Sequence, residues 1–185
     1  MPVLFLIGPR GSGKSLAAAR LAETFSCRVR DTDQMVVQAH GGSIADIVAE
    51  KGWNAFRAME KAALIQAAAQ MAGDARAPGI VSLGVIATGG GIVLDAENRR
   101  LMRETGIVAY LSSPAEVLIA RLAALPEDPS RPPLSPLAMT DEVRAVLQER
   151  EPLYRETAHH VIDACQEPDA LARALHTLFP SRTPS

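Results

Sequence analysis

The segment from Gly8 to Ser15 restricts the folds open to this chain more than any other feature. It matches the pattern G-x-x-x-x-G-K-[ST] at every fixed position. The continuous apolar run Val3 to Ile7 precedes it and predicts a strand buried on both faces. After it, apolar residues spaced at i, i+3, i+4 and i+7 from Ala18 predict an amphipathic helix. Because a strand, a glycine-rich loop and a helix occur in this order, the sequence predicts a phosphate-binding loop.

The residues of this loop have distinct predicted tasks. Glycines allow backbone N–H groups to converge on phosphate oxygens, and the following helix adds the partial positive charge of its N-terminus. We expect the Lys14 ammonium to reach the outer phosphates and the Ser15 hydroxyl to bind Mg²⁺. The residues predicted to bind the nucleotide are Gly11, Ser12, Gly13, Lys14 and Ser15. The pattern alone does not distinguish an ATPase, a GTPase, a small-molecule kinase or a motor protein.

Strand and helix patterns alternate along the rest of the chain. Strand candidates lie at 3–7, 28–30, 84–88, 107–111 and 160–164. With helices between them, they predict an α/β, three-layer P-loop fold with a five-stranded parallel sheet flanked by helices. Right-handed crossovers would place the loops that follow the strands along one edge of that sheet. The length of 185 residues suits a single domain over 1–179, with 180–185 as a polar tail.

Residues 125–138 contain five prolines and no apolar period, so they predict an irregular surface loop. We expect this loop to act as a mobile lid. Arg131 lies within it, and an arginine in such a loop is ordinarily just solvated. A lid that closes over ATP would instead carry the Arg131 guanidinium to the phosphoryl group in transfer. The lid and the short chain favour a compact kinase for a small acceptor.

Charge and composition argue against several classes of partner. The chain has 19 Lys and Arg against 21 Asp and Glu, and this balance argues against broad binding to nucleic acid or to a membrane surface. No apolar run approaches the roughly 18 residues of a membrane span. Cys27 and Cys165 lie outside any CxxC pattern, so we expect free thiols and a cytoplasmic location. We also expect a monomer.

The segment Asp31-Thr32-Asp33 closes the second strand candidate. Alternation along an extended segment predicts that the carboxylates of Asp31 and Asp33 point the same way. One of them would then hold Mg²⁺ through water while the other orients an acceptor hydroxyl. The alternative is that an aspartate only caps the next helix. Beside a phosphate-binding loop, we favour the functional interpretation.

Arg150 has an unusual place in its predicted helix. Together with Val143, Val146 and Leu147 it follows the i, i+3, i+4, i+7 spacing, which puts a guanidinium on the apolar stripe. A buried cation costs several kcal/mol unless it is paired. The side chain would reach out to water, meet a protein carboxylate or bind an anionic ligand, and the sequence leaves all three open.

Two other segments have both a plain and a functional interpretation. Arg57 and Glu60 are three residues apart on a predicted helix, a spacing typical of a surface ion pair worth roughly 0.3 kcal/mol. The triplet Gly89-Gly90-Gly91 follows a strand candidate. Such a triplet forms either a tight turn or a place where the backbone approaches a ligand closely.

The combination of these segments resembles the shikimate kinase family. The resemblance covers about residues 2 to 165 and keeps the order that the family has. The matching segments are Gly8–Ser15, Asp31-Thr32-Asp33, Phe56-Arg57 with Glu60, Ala87–Gly91, Arg131-Pro132, and Arg150 with Pro152-Leu153-Tyr154-Arg155. The glycine triplet together with the Asp-Thr-Asp segment is quite specific to this family among small P-loop kinases.

The resemblance implies a nucleoside-monophosphate-kinase-like fold and a reaction. The γ-phosphoryl group of ATP would pass to the 3-hydroxyl of shikimate, a step towards chorismate and the aromatic amino acids. It implies that Asp31 supports Mg²⁺ and that Asp33 binds the acceptor hydroxyls and takes the proton. Arg57 and Arg150 would clamp the shikimate carboxylate. The other implied roles are catalysis by Lys14, Asp33 and Arg131, nucleotide contacts from Arg121 and Arg131, and a substrate pocket lined by Gly89, Gly90 and Gly91.

Three features depart from the family pattern. Leu16 occupies the position where the family usually has Thr, so one phosphate contact is missing. The segment 72–83 is longer than is common, and 163–166 lacks the Arg that some members stack on adenine. Two other functions stay open at this point: a kinase of another hydroxy acid or sugar acid such as gluconate, and a catalytically silent ATP-binding module.

Overall fold

Five strands and seven helices form the part of the chain that the structure, a computed structural model, describes: residues 3–74, 83–124 and 138–179. The strands are β1 (Val3–Ile7), β2 (Arg28–Asp31), β3 (Gly84–Ala87), β4 (Gly106–Ser112) and β5 (His160–Asp163). The helices are α1 (Lys14–Phe25), α2 (Thr32–His40), α3 (Ile44–Asp74), α4 (Ala96–Thr105), α5 (Ala115–Ala123), α6 (Met139–Thr157) and α7 (Pro168–His176). Gly52 interrupts α3 with φ 78° and ψ 169°, so this element has two helical parts.

The strands form one parallel sheet, which confirms the prediction, in the order β2-β3-β1-β4-β5. β1 lies at the centre, where Leu6 is opposite both Ala87 and Ala109. The chain leaves β1 towards β2 on one side and later returns to β4 on the other. The loop after β1 therefore lies where the strand order reverses, at the place where parallel α/β sheets bind their ligands.

Helices cover both faces of the sheet and complete the three layers. Leu4 and Leu6 of β1 pack with residues of α1 and α7 on one face, while Phe5 and Ile7 pack with residues of α3 and α6 on the other. Burying each such side chain contributes roughly 1.5–3 kcal/mol. A strand that is apolar at every position fits this place because neither of its faces meets water.

Two sequence predictions fall largely outside the described residues. The lid over 125–138 is described only at Ala138, and the Arg131 position and the tail 180–185 are not described. Across the three described ranges, every helix is too short or too polar to cross a bilayer.

Candidate active site

The predicted phosphate-binding loop connects β1 to α1. Gly13, directly before α1, has a φ of 90°, a conformation that residues with a side chain adopt only with strain. Gly8 leaves β1 with a φ of 145°, and a Cβ there would lie 2.8 Å from the Leu111 carbonyl oxygen. The loop therefore needs glycine at both ends, as the pattern requires.

The Lys14 ammonium lies over this loop. Its Nζ donates to the carbonyl oxygens of Gly8 and Pro9, both at 2.8 Å, and to Ser12 Oγ at 3.4 Å. These contacts hold the positive charge beside the N-terminus of α1, which carries partial positive charge of its own. The loop thus combines a cation, a helix terminus and close backbone approach, the features of an anion site.

Ser15 and Asp31 form a pair at the end of the loop. Ser15 Oγ donates to Asp31 Oδ2 at 2.7 Å. The other carboxylate oxygen, Oδ1, accepts from the backbone N–H groups of Asp33 and Gln34 at 3.0 and 3.2 Å, so Asp31 also caps α2. The two interpretations of Asp31 are therefore compatible, because the capping contacts fix the carboxylate with its second oxygen towards Ser15.

Asp33 lies in the first turn of α2 rather than at the end of a strand. The prediction that alternation along an extended segment aligns it with Asp31 is wrong, because β2 stops at Asp31 and the helix begins at once. Asp33 nevertheless lines the cleft, with Oδ1 only 2.5 Å from where a Cβ on Gly89 would be. Thr32 is fully buried, and its Oγ1 accepts from the Gly89 N–H at 3.0 Å.

The Arg57–Glu60 ion pair joins a partly exposed guanidinium to a buried carboxylate, although its spacing is typical of the protein surface. Arg57 Nη1 lies 2.6 Å from Glu60 Oε2, and Glu60 is only 1% exposed. The guanidinium also lies 5.5 and 5.2 Å from the ring centres of Trp53 and Phe56. Desolvation raises the pKa of Glu60 although Arg57 opposes the shift, and the nearby Asp33 carboxylate raises it further. This part of the cleft is therefore a cluster of charges around one buried carboxylate.

The glycine loop, residues 89–91, leaves room for these charged side chains. A Cβ on Gly89 would collide with the Glu60 carboxylate, and a Cβ on Gly91 would collide with the Arg57 guanidinium. A Cβ on Gly90 would face the phosphate-binding loop instead. A tight turn alone would not need all three glycines. The triplet allows side chains of α2 and α3, and the backbone of the phosphate-binding loop, to lie close to the glycine loop.

Arg150 of α6 is buried on the apolar stripe, with 8% of its surface exposed. Its Nη1 reaches the Gly90 carbonyl oxygen at a long 3.4 Å, and within the described residues its Nε has no hydrogen-bond partner. Burial excludes the first of the three alternatives, a side chain that reaches out to water. The charge of Arg150 lowers the pKa of Glu60, so the two groups sense each other. A buried guanidinium with donors to spare suits an anionic ligand.

One cleft of about 1200 Å³ joins the phosphate-binding loop to the charged cluster. Arg121 of α5 lies in its wall and donates to the carbonyl oxygens of Gly11 at 3.3 Å and Ala164 at 2.7 Å. It thereby ties the loop after β5 to the phosphate-binding loop. The cleft holds a phosphate-binding loop at one end and two arginines with two carboxylates at the other. This arrangement suits phosphoryl transfer to a small acceptor that carries an acid group.

Comparison with known proteins gives the family. The chain matches the family model described as shikimate kinase over residues 10–178. The chain belongs to the shikimate kinase family. It is 48% identical over 172 residues to the shikimate kinase of Oleidesulfovibrio alaskensis, covering 93% of this chain and 94% of that one. It is 44% identical over 179 residues to shikimate kinase 2 of Sodalis glossinidius, covering 96% of each.

Solved structures of shikimate kinases have the same fold. The enzyme from Acinetobacter baumannii, solved in complex with shikimate, gives a TM-score of 0.82 at 31% identity and covers 96% of this chain and 92% of its own. A deoxyadenosine kinase from M. mycoides, 12% identical, covers 95% of this chain and 97% of its own at a TM-score of 0.57, and so shares the fold alone. The predicted P-loop fold and the family resemblance are both confirmed.

Two of the departures from the shikimate kinase pattern lie on the cleft. Leu16 is 53% exposed and lines it, as do Cys165 and Gln166 in the loop after β5. The sequence assigned no role to the buried hydroxyls of Thr32 and Tyr154, which both bond to the glycine loop. The sequence signal that could have identified Tyr154 is its position one helical turn after Arg150.

Proposed function

We propose that this chain transfers the γ-phosphoryl group of ATP to the 3-hydroxyl of shikimate, giving shikimate 3-phosphate and ADP. The observation that carries the proposal is that an anion-binding loop, Arg57, Arg150 and Asp33 all line one cleft. The enzyme would act in the biosynthesis of chorismate and the aromatic amino acids. Its free cysteines support a cytoplasmic location, and the monomer stays a prediction.

The nucleotide end would hold the phosphates of ATP. Backbone N–H groups of Gly11, Ser12 and Gly13 and the Lys14 ammonium are proposed to bind phosphate oxygens. Arg121 lies beside this loop in the cleft wall, which supports its role towards the nucleotide. Arg131 stays a prediction as the residue that acts from the lid.

The Ser15–Asp31 pair fits Mg²⁺. Both donors are oxygens, the ligands that this ion prefers, and the capping contacts hold the Asp31 carboxylate in place. Within the described ranges there is no group of three His, Cys, Asp or Glu that would hold a metal ion. We therefore expect Mg²⁺ to bind together with the nucleotide. When bound, it neutralises charge on the phosphate oxygens.

The acceptor end would orient shikimate. Arg57 and Arg150 would bind its carboxylate, each through the planar guanidinium, and the glycine loop would line the pocket beside it. Asp33 would accept a hydrogen bond from the 3-hydroxyl. As the hydroxyl oxygen bonds to the γ-phosphorus and the bond to ADP breaks, the Asp33 carboxylate takes the hydroxyl proton.

A coupled assay of ADP release tests the proposed function. The full chain with Mg-ATP is given shikimate, quinate or gluconate, and kcat/KM is measured for each. We expect a clear preference for shikimate. Equal values would indicate a kinase of broader hydroxy acids, and no ADP release with any acceptor would indicate a silent nucleotide-binding module.

A further inference from the structure

Tyr154 and Arg150 approach the same backbone oxygen from neighbouring turns of α6. The Tyr154 hydroxyl donates to the Gly90 carbonyl oxygen at 2.5 Å, while Arg150 Nη1 lies 3.4 Å from it. The ring of Tyr154 is fully buried and stacks on Tyr110 of β4, with ring centres 5.0 Å apart and planes at 20°. The hydroxyl is therefore held in place by packing on the sheet.

The Tyr154 hydroxyl and the Arg150 guanidinium differ in the other groups that they bind. Gly90 is only partly buried, so the penalty for a carbonyl that loses its donor stays below the roughly 1–3 kcal/mol of a fully buried group, but a donor still stabilises the loop. The Tyr154 hydroxyl supplies that donor at short range, and burial raises the pKa of this hydroxyl above its ordinary value. The contact of Arg150 to Gly90 is long, and its Nε has no hydrogen-bond partner within the described residues, although its guanidinium also interacts with the Tyr154 hydroxyl.

We propose that Tyr154 is a positioning residue for the acceptor site. Its hydroxyl fixes the Gly90 carbonyl and the glycine loop, and it leaves the Arg150 guanidinium available to the carboxylate of the acceptor. Without the hydroxyl, Arg150 would turn to the Gly90 carbonyl and compete with the ligand for its own donors. In the proposed function this acceptor is shikimate, so the role of Tyr154 rests on that function.

Tyr110 provides a matched control for Tyr154. Both rings belong to the same buried cluster, both are 0% exposed, and they stack on each other. Within the described residues the Tyr110 hydroxyl makes no hydrogen bond to the glycine loop, so it does not hold that loop. Replacing either residue by Phe keeps the ring and removes one buried hydroxyl. Only the change at Tyr154 takes a hydrogen bond from Gly90.

The test compares Tyr154→Phe and Tyr110→Phe with the wild-type chain. For Tyr154→Phe we expect KM for shikimate and its dissociation constant to rise about tenfold, with KM for Mg-ATP unchanged within about twofold. The dissociation constant is measured from the fluorescence of Trp53, which lines the cleft and is the single tryptophan of the chain. For Tyr110→Phe we expect neither KM to move. A rise in both KM values, or equal effects of the two variants, would assign Tyr154 to general stability.

A double-mutant cycle with Arg150→Lys tests whether Tyr154 acts through Arg150. The two changes should together weaken shikimate binding by less than the product of the separate effects, since each one disturbs the same guanidinium. Independent effects would contradict this link.

A third measurement does not depend on how well Tyr154→Phe folds. The chain has two tyrosines, so in Tyr110→Phe labelled with 3-fluorotyrosine a single ¹⁹F resonance reports Tyr154. Shikimate should shift this resonance, whereas ADP alone should not. An unchanged resonance at saturating shikimate would overturn the proposal. If the wild-type chain neither binds nor phosphorylates shikimate, the proposed function fails instead, and the two failures are thereby distinguished.

Discussion

The two ends of the cleft are built in different ways. The phosphate-binding loop of the nucleotide end is local in sequence: Lys14 bonds to carbonyls five and six residues before it, although Arg121 also reaches this loop from far along the chain. The acceptor end is assembled from distant parts of the chain. Arg150 contacts a carbonyl 60 residues away, and Gly89 bonds to a threonine 57 residues away.

This difference in construction goes with a difference in chemistry. The nucleotide end offers backbone groups and a helix terminus, which suit any phosphate. The acceptor end holds charged side chains that are largely removed from water, and such groups are costly to bury unless they are paired well. Selectivity for one acceptor is therefore expected to depend on the acceptor end, where a wrong ligand leaves a buried charge unpaired.

The largest expected effect comes from Asp33→Asn. An amide cannot take the hydroxyl proton, so kcat should fall on the order of a thousandfold. The dissociation constant of Mg-ATP should stay within about twofold, because Asp33 belongs to the acceptor end. Single-turnover kinetics and calorimetric titration with Mg-ATP measure the two quantities. Asp141→Asn, an exposed change on α6, is the control. Loss of ATP binding in Asp33→Asn would place Asp33 at the nucleotide end.

Arg150→Lys should have the next largest effect, and only on the acceptor. Lysine cannot reproduce the planar fork of arginine, so we expect shikimate to bind about thirtyfold more weakly, or roughly 2 kcal/mol. KM for Mg-ATP should not change. The exposed Arg155→Lys on the same helix controls for loss of a guanidinium as such. Unchanged affinity for shikimate would assign Arg150 to internal pairing.

The contrast between the two ends also explains what the sequence could predict. The strand Val3–Ile7 was predicted with correct bounds, and the glycine-rich loop after it was predicted with the right neighbours, although α1 begins within the motif at Lys14. The parallel sheet followed from the alternation of strands and helices. The role of Arg57 and Glu60 did not follow from their spacing, because i, i+3 pairs look alike whether they are exposed or buried.

Asp33 shows why other features of the site could not be predicted from the sequence. Its place depends on where β2 stops, and Asp31 decides that by capping α2 with the same carboxylate that meets Ser15. A three-residue segment does not reveal which of its residues is the cap. The hydroxyls of Thr32 and Tyr154 matter only through contacts with the glycine loop, which the fold brings to them from far along the chain.

Glu60→Gln tests how much the negative charge of the buried Glu60 side chain lowers the free energy of unfolding. Burial raises the pKa of Glu60 above its ordinary value of 4.5. The folded chain then holds this proton to higher pH than the unfolded chain, so the contribution to stability is full below that value and is lost as the pH rises through the folded pKa. As the pH rises, the free energy of unfolding of the wild type should therefore fall relative to that of Glu60→Gln. The difference between the two slopes is at most about 1.4 kcal/mol per pH unit. Urea unfolding from about pH 4.5 upward measures the slopes, and equal slopes would contradict the expectation.

The smallest expected effect belongs to the nucleotide end. Leu16 lies in the first turn of α1 and is half exposed to the cleft, so replacing it removes little buried surface. Threonine there would place a hydroxyl among the N–H groups that face the phosphates, and one added hydrogen bond would lower KM for Mg-ATP about threefold. Leu16→Ala removes the same side chain without adding a donor and should leave that KM where it is. Steady-state kinetics with both substrates varied measures this. Leu16→Thr could instead change the affinity for shikimate as much as that for ATP. Binding at the two ends of the cleft would then be energetically coupled, which would contradict the division into a local phosphate site and a distant acceptor site.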